Sequence, residues 1–277
     1  MSGGRTFESL GQLSARRQRG RYRTGLALSG GVAFGLAQIG VLKVLEKAGV
    51  CIDCIAGTSA GAIIAAGYAA GVPLDELEAM AVHTSWGQLF ALRPSRKGLV
   101  SSEPIERYVR DNFQVSRFEE LVMPLAVVTT DICSGEEAVF TRGPLDRAVR
   151  ASCSIPGIYS PVELDGRQLV DGGLVENVPV KALRSLGAER VIAVNVMGHR
   201  KVFKKASNVV QILMRVWNFF VQENRSWEQG ADVILEPDLR IYDLFDFSAA
   251  SEIIRVGEKE TRSKLKQIKR LTGKRKY

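Results

Sequence analysis

Three short stretches carry residues suited to chemistry: Gly57-Thr58-Ser59-Ala60-Gly61, Ser29-Gly30-Gly31-Val32-Ala33-Phe34-Gly35 and Asp171-Gly172-Gly173. A serine hydroxyl attacks a carbonyl only when it is exposed and a nearby base takes its proton. A sharp turn from strand to helix exposes it. At such a turn the residues two away on each side nearly touch, so Gly57 and Gly61 fit a nucleophile elbow around Ser59. The second stretch would present several backbone N–H groups at a helix N-terminus, where they can bind a phosphate or the oxyanion of acyl transfer. Its G-G-x-x-x-G spacing departs from the dinucleotide pattern, and it lacks the G-K-[ST] ending of a phosphate loop. The oxyanion role is the one a neighbouring nucleophile calls for.

A base must accompany Ser59. The chain has two histidines, His83 and His199. The order Ser59, Asp171, His199 matches a triad hydrolase, but His199 lies in the polar basic run Met197-Gly198-His199-Arg200-Lys201. His83 follows a predicted surface helix. The alternative is a carboxylate. Asp171 closes a predicted strand, and the two glycines after it clear space around its side chain. Asp-Gly is also a common turn dipeptide, whereas active sites of α/β proteins gather at the carboxyl ends of strands. Cys51-Ile52-Asp53-Cys54 leads into a predicted strand with no second pair nearby, so it reads as structural thiols rather than a metal site. No metal or cofactor is expected.

These residues need a frame. A strand is predicted over 24–28, a helix over 36–48 ending at Gly49, a strand over 51–56 and a helix over 60–70. This βαβα order implies a parallel sheet. A surface helix over 73–82, a loop over 84–102, a helix over 103–113 and a hairpin of 124–132 with 137–141 follow. Then come a helix over 144–151, a short strand over 168–170, a helix over 177–186, strands over 190–195 and 231–235, and a last helix over 249–271. The helix predicted over 207–222 is unusual. Asn208, Gln211, Arg215, Asn218, Gln222 and Arg225 form one narrow polar stripe, and the rest is Val, Ile, Leu, Met, Trp and Phe. It reads either as a helix packed over the sheet or as a lid or lipid-contacting helix, led by Arg200, Lys201, Lys204 and Lys205.

The 277 residues are 45% hydrophobic and 25% charged, enough for one large core. Residues 1–23 carry six Arg and one Glu, residues 255–277 ten Lys/Arg and two Glu, so the +8 total leaves −5 for the body. Basic ends around an acidic body suit solubility or an anionic membrane surface better than nucleic acid. The expected organisation is a flexible basic arm (1–23), a folded domain (24–272) and a basic tail (273–277). The Arg-rich start has no apolar signal region and no apolar run approaches a bilayer span. With four cysteines in no framework, the expected setting is cytoplasmic, at most peripheral at a membrane.

Leu28-Ser29-Gly30-Gly31-Val32-Ala33-Phe34-Gly35, Gly57-Thr58-Ser59-Ala60-Gly61 and Asp171-Gly172-Gly173 together resemble the three blocks of the patatin-like phospholipase family, bacterial type, over roughly residues 24–272. Ala151-Ser152-Cys153-Ser154-Ile155-Pro156 is similar too. The resemblance implies a three-layer α/β/α sandwich with a mainly parallel sheet. It also implies a Ser59–Asp171 dyad without histidine, an oxyanion hole at Gly30, Gly31 and Val32, and hydrolysis of lipid acyl esters without a metal. Two positions depart from the family's G-G-G-x-R/K-G: Val32 replaces the third glycine and Phe34 the basic residue. A β-branched Val32 is expected to refuse a positive φ and to turn its peptide differently. Loss of the cation places neutral or single-chain esters beside phospholipids as substrates. A catalytically weak lipid- or membrane-binding protein on the same fold is the alternative.

Overall fold

The computed structural model describes residues 22–83, 91–95, 98–199 and 205–273. Five parallel strands form its spine in the order β10-β9-β1-β2-β5: β1 (Tyr22–Leu28), β2 (Cys54–Thr58), β5 (Leu125–Asp131), β9 (Ala188–Val194) and β10 (Val233–Leu235). These strands are apolar on both faces because helices cover both. Leu26, Leu28, Ile55, Leu125, Val127 and Ile192 join the larger core cluster. Ala27, Cys54, Ala56, Ala126, Val128 and Ala193 face the smaller one. On the larger side lie α1 (Ala37–Lys47), α2 (Ala60–Ala69), α4 (Glu103–Phe113), α5 (Leu145–Ser152) and α9 (Ala250–Thr272); on the smaller side lies α7 (Val180–Leu186). The expected three layers are present. Helices α1 and α9 cross in contact at Gly40 and Gly257, where an added Cβ would stand about 2 Å from a carbonyl oxygen of the other helix.

The sheet departs from a purely parallel plan beside β5. Strand β6 (Glu137–Phe140) and strand β8 (Arg167–Asp171) both run antiparallel to β5, at Val127–Thr130 and Thr129–Asp131 respectively, while β2 pairs with Leu125–Val128. Overlapping partners cannot share an edge, so β6 takes one edge and β2 and β8 divide the other. The carboxyl ends of β2 and β8 therefore meet head on. Thr58 is opposite Val128, and Asp171 is opposite Thr129.

Several expectations change. The loop expected over 84–102 contains an antiparallel pair, β3 (Ala91–Ser95) with β4 (Gly98–Ser101); residues 84–90 and 96–97 lie outside the described residues. Strand β7 (Val162–Leu164) was not foreseen and pairs with β8. The helix expected over 177–186 begins only at Val180, after Pro179, as α7, and a short helix that was not foreseen, α6 (Gly173–Glu176), precedes it. Helix α3 (Leu74–His83) follows the expected surface helix. β1 begins at Tyr22, inside the expected N-terminal arm; the rest of that arm, the basic lead-in 200–204 and the tail 274–277 lie outside the described residues. No described helix is long and apolar enough to cross a membrane.

Candidate active site

Ser59 occupies the turn between β2 and α2 with φ 53° and ψ −124°. For a non-glycine residue that conformation stores strain, of order 1–3 kcal/mol, which the surroundings must hold. The glycines permit the approach: a Cβ on Gly57 would stand 2.5 Å from Ala62 Cα, and one on Gly61 would stand 2.2 Å from the Leu28 oxygen. A clamp completes the elbow. The Ser59 N–H donates to Ser152 Oγ at 2.8 Å, and Ser152 Oγ donates to the Val128 carbonyl at 2.6 Å. Ser152 was missed as a functional residue, although it stands in the stretch that strengthened the family resemblance.

Asp171 is fully buried. Its Oδ1 accepts the Gly173 N–H at 2.7 Å. Its Oδ2 has no aligned partner among the described residues, yet the carboxyl is close enough for the Ser59 hydroxyl to stabilise its charged form. Burial pushes the Asp171 carboxyl up to about 7, against the opposing pull of the Gly173 N–H and the Ser59 hydroxyl. Cys153 also neighbours Ser59; burial first, then the Asp171 charge, push its thiol well above the ordinary range, against the pull of the Ser59 hydroxyl.

The glycine turn divides its donors. The Gly30 N–H donates to the Asn177 carbonyl at 3.2 Å and is not free. The Gly31 and Val32 N–H groups have no hydrogen-bond partner among the described residues. Val32 adopts φ 48°, so the expectation that it would refuse a positive φ is corrected. The chain folds through the backbone path a glycine would take and bears the strain of a β-branched residue there. Phe34 is buried in the core, so no cation stands in its place.

Ser59 opens into a cleft with about 780 Å³ of open space, mouth included. Val32, Leu36, Ile63, Ile64, Leu77 and Phe113 form much of its wall, with Tyr108, Ile155, Tyr159 and Phe247. Neither histidine lines it. His199 Nε2 pairs with the Glu236 carbonyl at 3.1 Å, and His83 ends α3. The structure thus brings Ser59, Asp171, Gly31, Val32, Gly172 and Gly173 together and leaves both histidines apart.

The patatin-like phospholipase family pattern matches residues 26–184, more than half of the chain. The chain belongs to the patatin-like phospholipase family. An uncharacterized NTE family protein of Mycobacterium tuberculosis is 39% identical over 179 residues, covering 64% of this chain and 49% of that protein. Human patatin-like phospholipase domain-containing protein 6 is 36% identical over 179 residues, covering 62% of this chain and 13% of its own length. The chain therefore spans about half or less of these relatives. Among solved structures, VipD from Legionella pneumophila superposes with a TM-score of 0.59 at 12% identity, covering 88% of this chain and 67% of that one. ExoU from Pseudomonas aeruginosa, solved with SpcU, gives 0.53 at 14% identity, covering 90% and 53%. Both share the fold of this patatin-like chain.

Proposed function

We propose that this patatin-like chain is a serine acyl hydrolase that cleaves carboxylic esters of lipids through a Ser59–Asp171 dyad. The observation that carries the reading is the pairing of a strained, clamped Ser59 with a buried Asp171 raised to about 7, at one end of an apolar cleft. Asp171 Oδ2 takes the Ser59 proton as Oγ attacks the ester carbonyl. The N–H groups of Gly31 and Val32 hold the oxyanion. Gly30 shapes that turn rather than donating, since its N–H is bound to Asn177. When the intermediate collapses, the bond to the alcohol breaks and Asp171 returns its proton to the leaving oxygen. Water, deprotonated in turn by Asp171, releases the acid from Ser59. A carboxylate near pH 7 is a competent base for both halves.

The cleft fits an acyl chain, and the substrates are of the lipase, phospholipase A or lysophospholipase kind. Phe34 in the core favours neutral and single-chain esters alongside phospholipids. Such substrates gather in layers, and the protein meets them peripherally, at an anionic membrane surface on the cytoplasmic side. A catalytically weak lipid-binding protein is the second reading, and the strained Val32 is what favours it. One experiment separates the two: wild type and Ser59→Ala are assayed on phospholipid, lysophospholipid, monoacylglycerol and short p-nitrophenyl esters, with fluorophosphonate labelling. The hydrolase reading expects turnover and labelling that vanish in Ser59→Ala while the fold persists. Vesicle binding without released fatty acid supports the second reading, and undiminished turnover in Ser59→Ala sinks the dyad.

A further inference from the structure

Helix α8 (Val209–Glu223) presents two apolar strips in opposite directions. Met214, Trp217 and Val221 are buried, and so is Asn218, a member of the polar stripe. On the other side Val209, Ile212, Val216, Phe219 and Phe220 are each more than half exposed, with Val210 and Leu213 partly so. Their three- and four-residue spacing makes one bare stripe along about 17 Å of helix. Large apolar patches on a folded chain mark a contact surface.

Position and charge choose the occupant. A Cβ on Gly157 would stand 3.4 Å from Leu213 Cδ1, and Gly157 lies between Ile155 and Tyr159, two walls of the Ser59 cleft. Near its other end, Val221 Cγ2 would stand 3.3 Å from a Cβ on Gly173, two residues after Asp171. The helix thus runs beside the cleft, with Leu213 of the stripe at the Gly157 end. Before Glu223 the helix holds no carboxylate, and exposed Lys205 precedes it. Val209, Ile212, Val216, Phe219 and Phe220 along one side of a helix with no carboxylate before Glu223 match an amphipathic helix half sunk in a lipid layer.

We infer that α8 is the surface on which the protein docks to an anionic lipid layer. With Phe219 and Phe220 among the acyl chains, the cleft mouth faces the layer, and a lipid chain passes to Ser59 without crossing water. This rests on the lipid-ester reading above. It assigns the contact to α8 and not to the basic end of α9. The Thr272 carbonyl there accepts from Arg190 Nη1 near the start of β9. From that point β1 and β9 run side by side, about 13 Å, to Leu28 and Val194 beside the glycine turn. Lys266, Lys269 and Arg270 therefore stand at the end of the sheet away from Ser59.

The test compares wild type, an Ile212→Ser/Val216→Ser/Phe220→Ser variant and a Lys266→Ala/Lys269→Ala/Arg270→Ala variant by sedimentation with phosphatidylcholine vesicles, with and without phosphatidylglycerol. Wild type is expected to bind, and more tightly with phosphatidylglycerol. The serine variant is expected to lose binding by about tenfold or more, and cleavage of a vesicle-embedded ester in proportion, while a soluble p-nitrophenyl ester is cleaved within about twofold of wild type. The alanine variant is expected to bind within about twofold of wild type. Wild type that ignores vesicles, or a serine variant that binds like wild type, overturns the inference. A wild-type dimer that the serine variant dissolves also overturns it, by assigning the stripe to a second copy. Loss of all ester cleavage in wild type would strike the hydrolase reading and leave the binding result to stand or fall separately.

Discussion

Asp171 and Glu176 are both buried, and burial raises both carboxyls, to about 7 and about 8. Both accept backbone N–H groups: Gly173 donates to Asp171, and Lys181 and Ala182 donate to Glu176. The difference is what remains. Glu176 gives its two oxygens to the first turn of α7, where orphan N–H groups need an acceptor, and Glu137 beside it further raises its pKa. Asp171 keeps Oδ2 uncommitted beside the Ser59 hydroxyl. One carboxyl caps a helix and the other can move a proton. A displaced pKa therefore does not by itself point to a base; what supports the proposed role of Asp171 is its uncommitted oxygen.

The sharpest break of that contrast is Asp171→Asn, which keeps the shape and removes the base. It is expected to cut kcat on a soluble ester by roughly 10²–10⁴-fold with an unchanged circular dichroism spectrum; near-normal turnover would transfer the role elsewhere. Glu176→Gln should leave kcat within about threefold, because Glu176 touches no part of the dyad. Next in size is the pH profile. Initial rates are expected to rise up to tenfold per pH unit below about 7 and to level off above it as Asp171 ionises. A flat profile from pH 5 to 8 would contradict a dyad governed by that carboxyl.

The smallest effect is on stability. Both folded-state pKa values lie above those of the unfolded chain, so between them the folded protein binds more protons. Their contribution is fully present below about pH 4 and is lost as pH rises through about 7 to 8. Glu176→Gln removes one share of that loss. Urea unfolding should show a smaller stability drop from pH 5 to pH 8 in the variant, by of order 1–3 kcal/mol. An identical drop in both proteins would mean that Glu176 does not carry the shift.

The elbow was legible because the G-x-S-x-G pattern is local, and the demand that Gly57 answers is set within five residues by Gly61 and Ala62; Gly61 answers the Leu28 carbonyl of the neighbouring strand. The alternation of apolar runs and glycine turns likewise announced the parallel spine. What escaped is non-local. Strand-end placement pointed to Asp171, but in an antiparallel strand the carboxyl end normally lies at the opposite sheet end; only the division of one edge of β5 brings it to Ser59. Ser152 acts through a partner 93 residues away, and the Gly30 N–H is taken by a carbonyl far along the chain. Val32 shows that tertiary packing can impose a φ that the residue's own preference opposes. For α8, periodicity disclosed one wide apolar face but not which part of it the body would cover.

The shared edge of β5 also bears on which insertions the chain could accept. Ser59 and Asp171 are 112 residues apart in sequence, yet both take their place from consecutive residues of one strand, Val128 and Thr129. The spacing of the pair is thus measured in backbone hydrogen-bond steps. Loops between β6 and β7 could lengthen without altering it. A single residue inserted between Val128 and Thr129 would slip one partner against the other and part nucleophile from base, however well every side chain in the cleft survived.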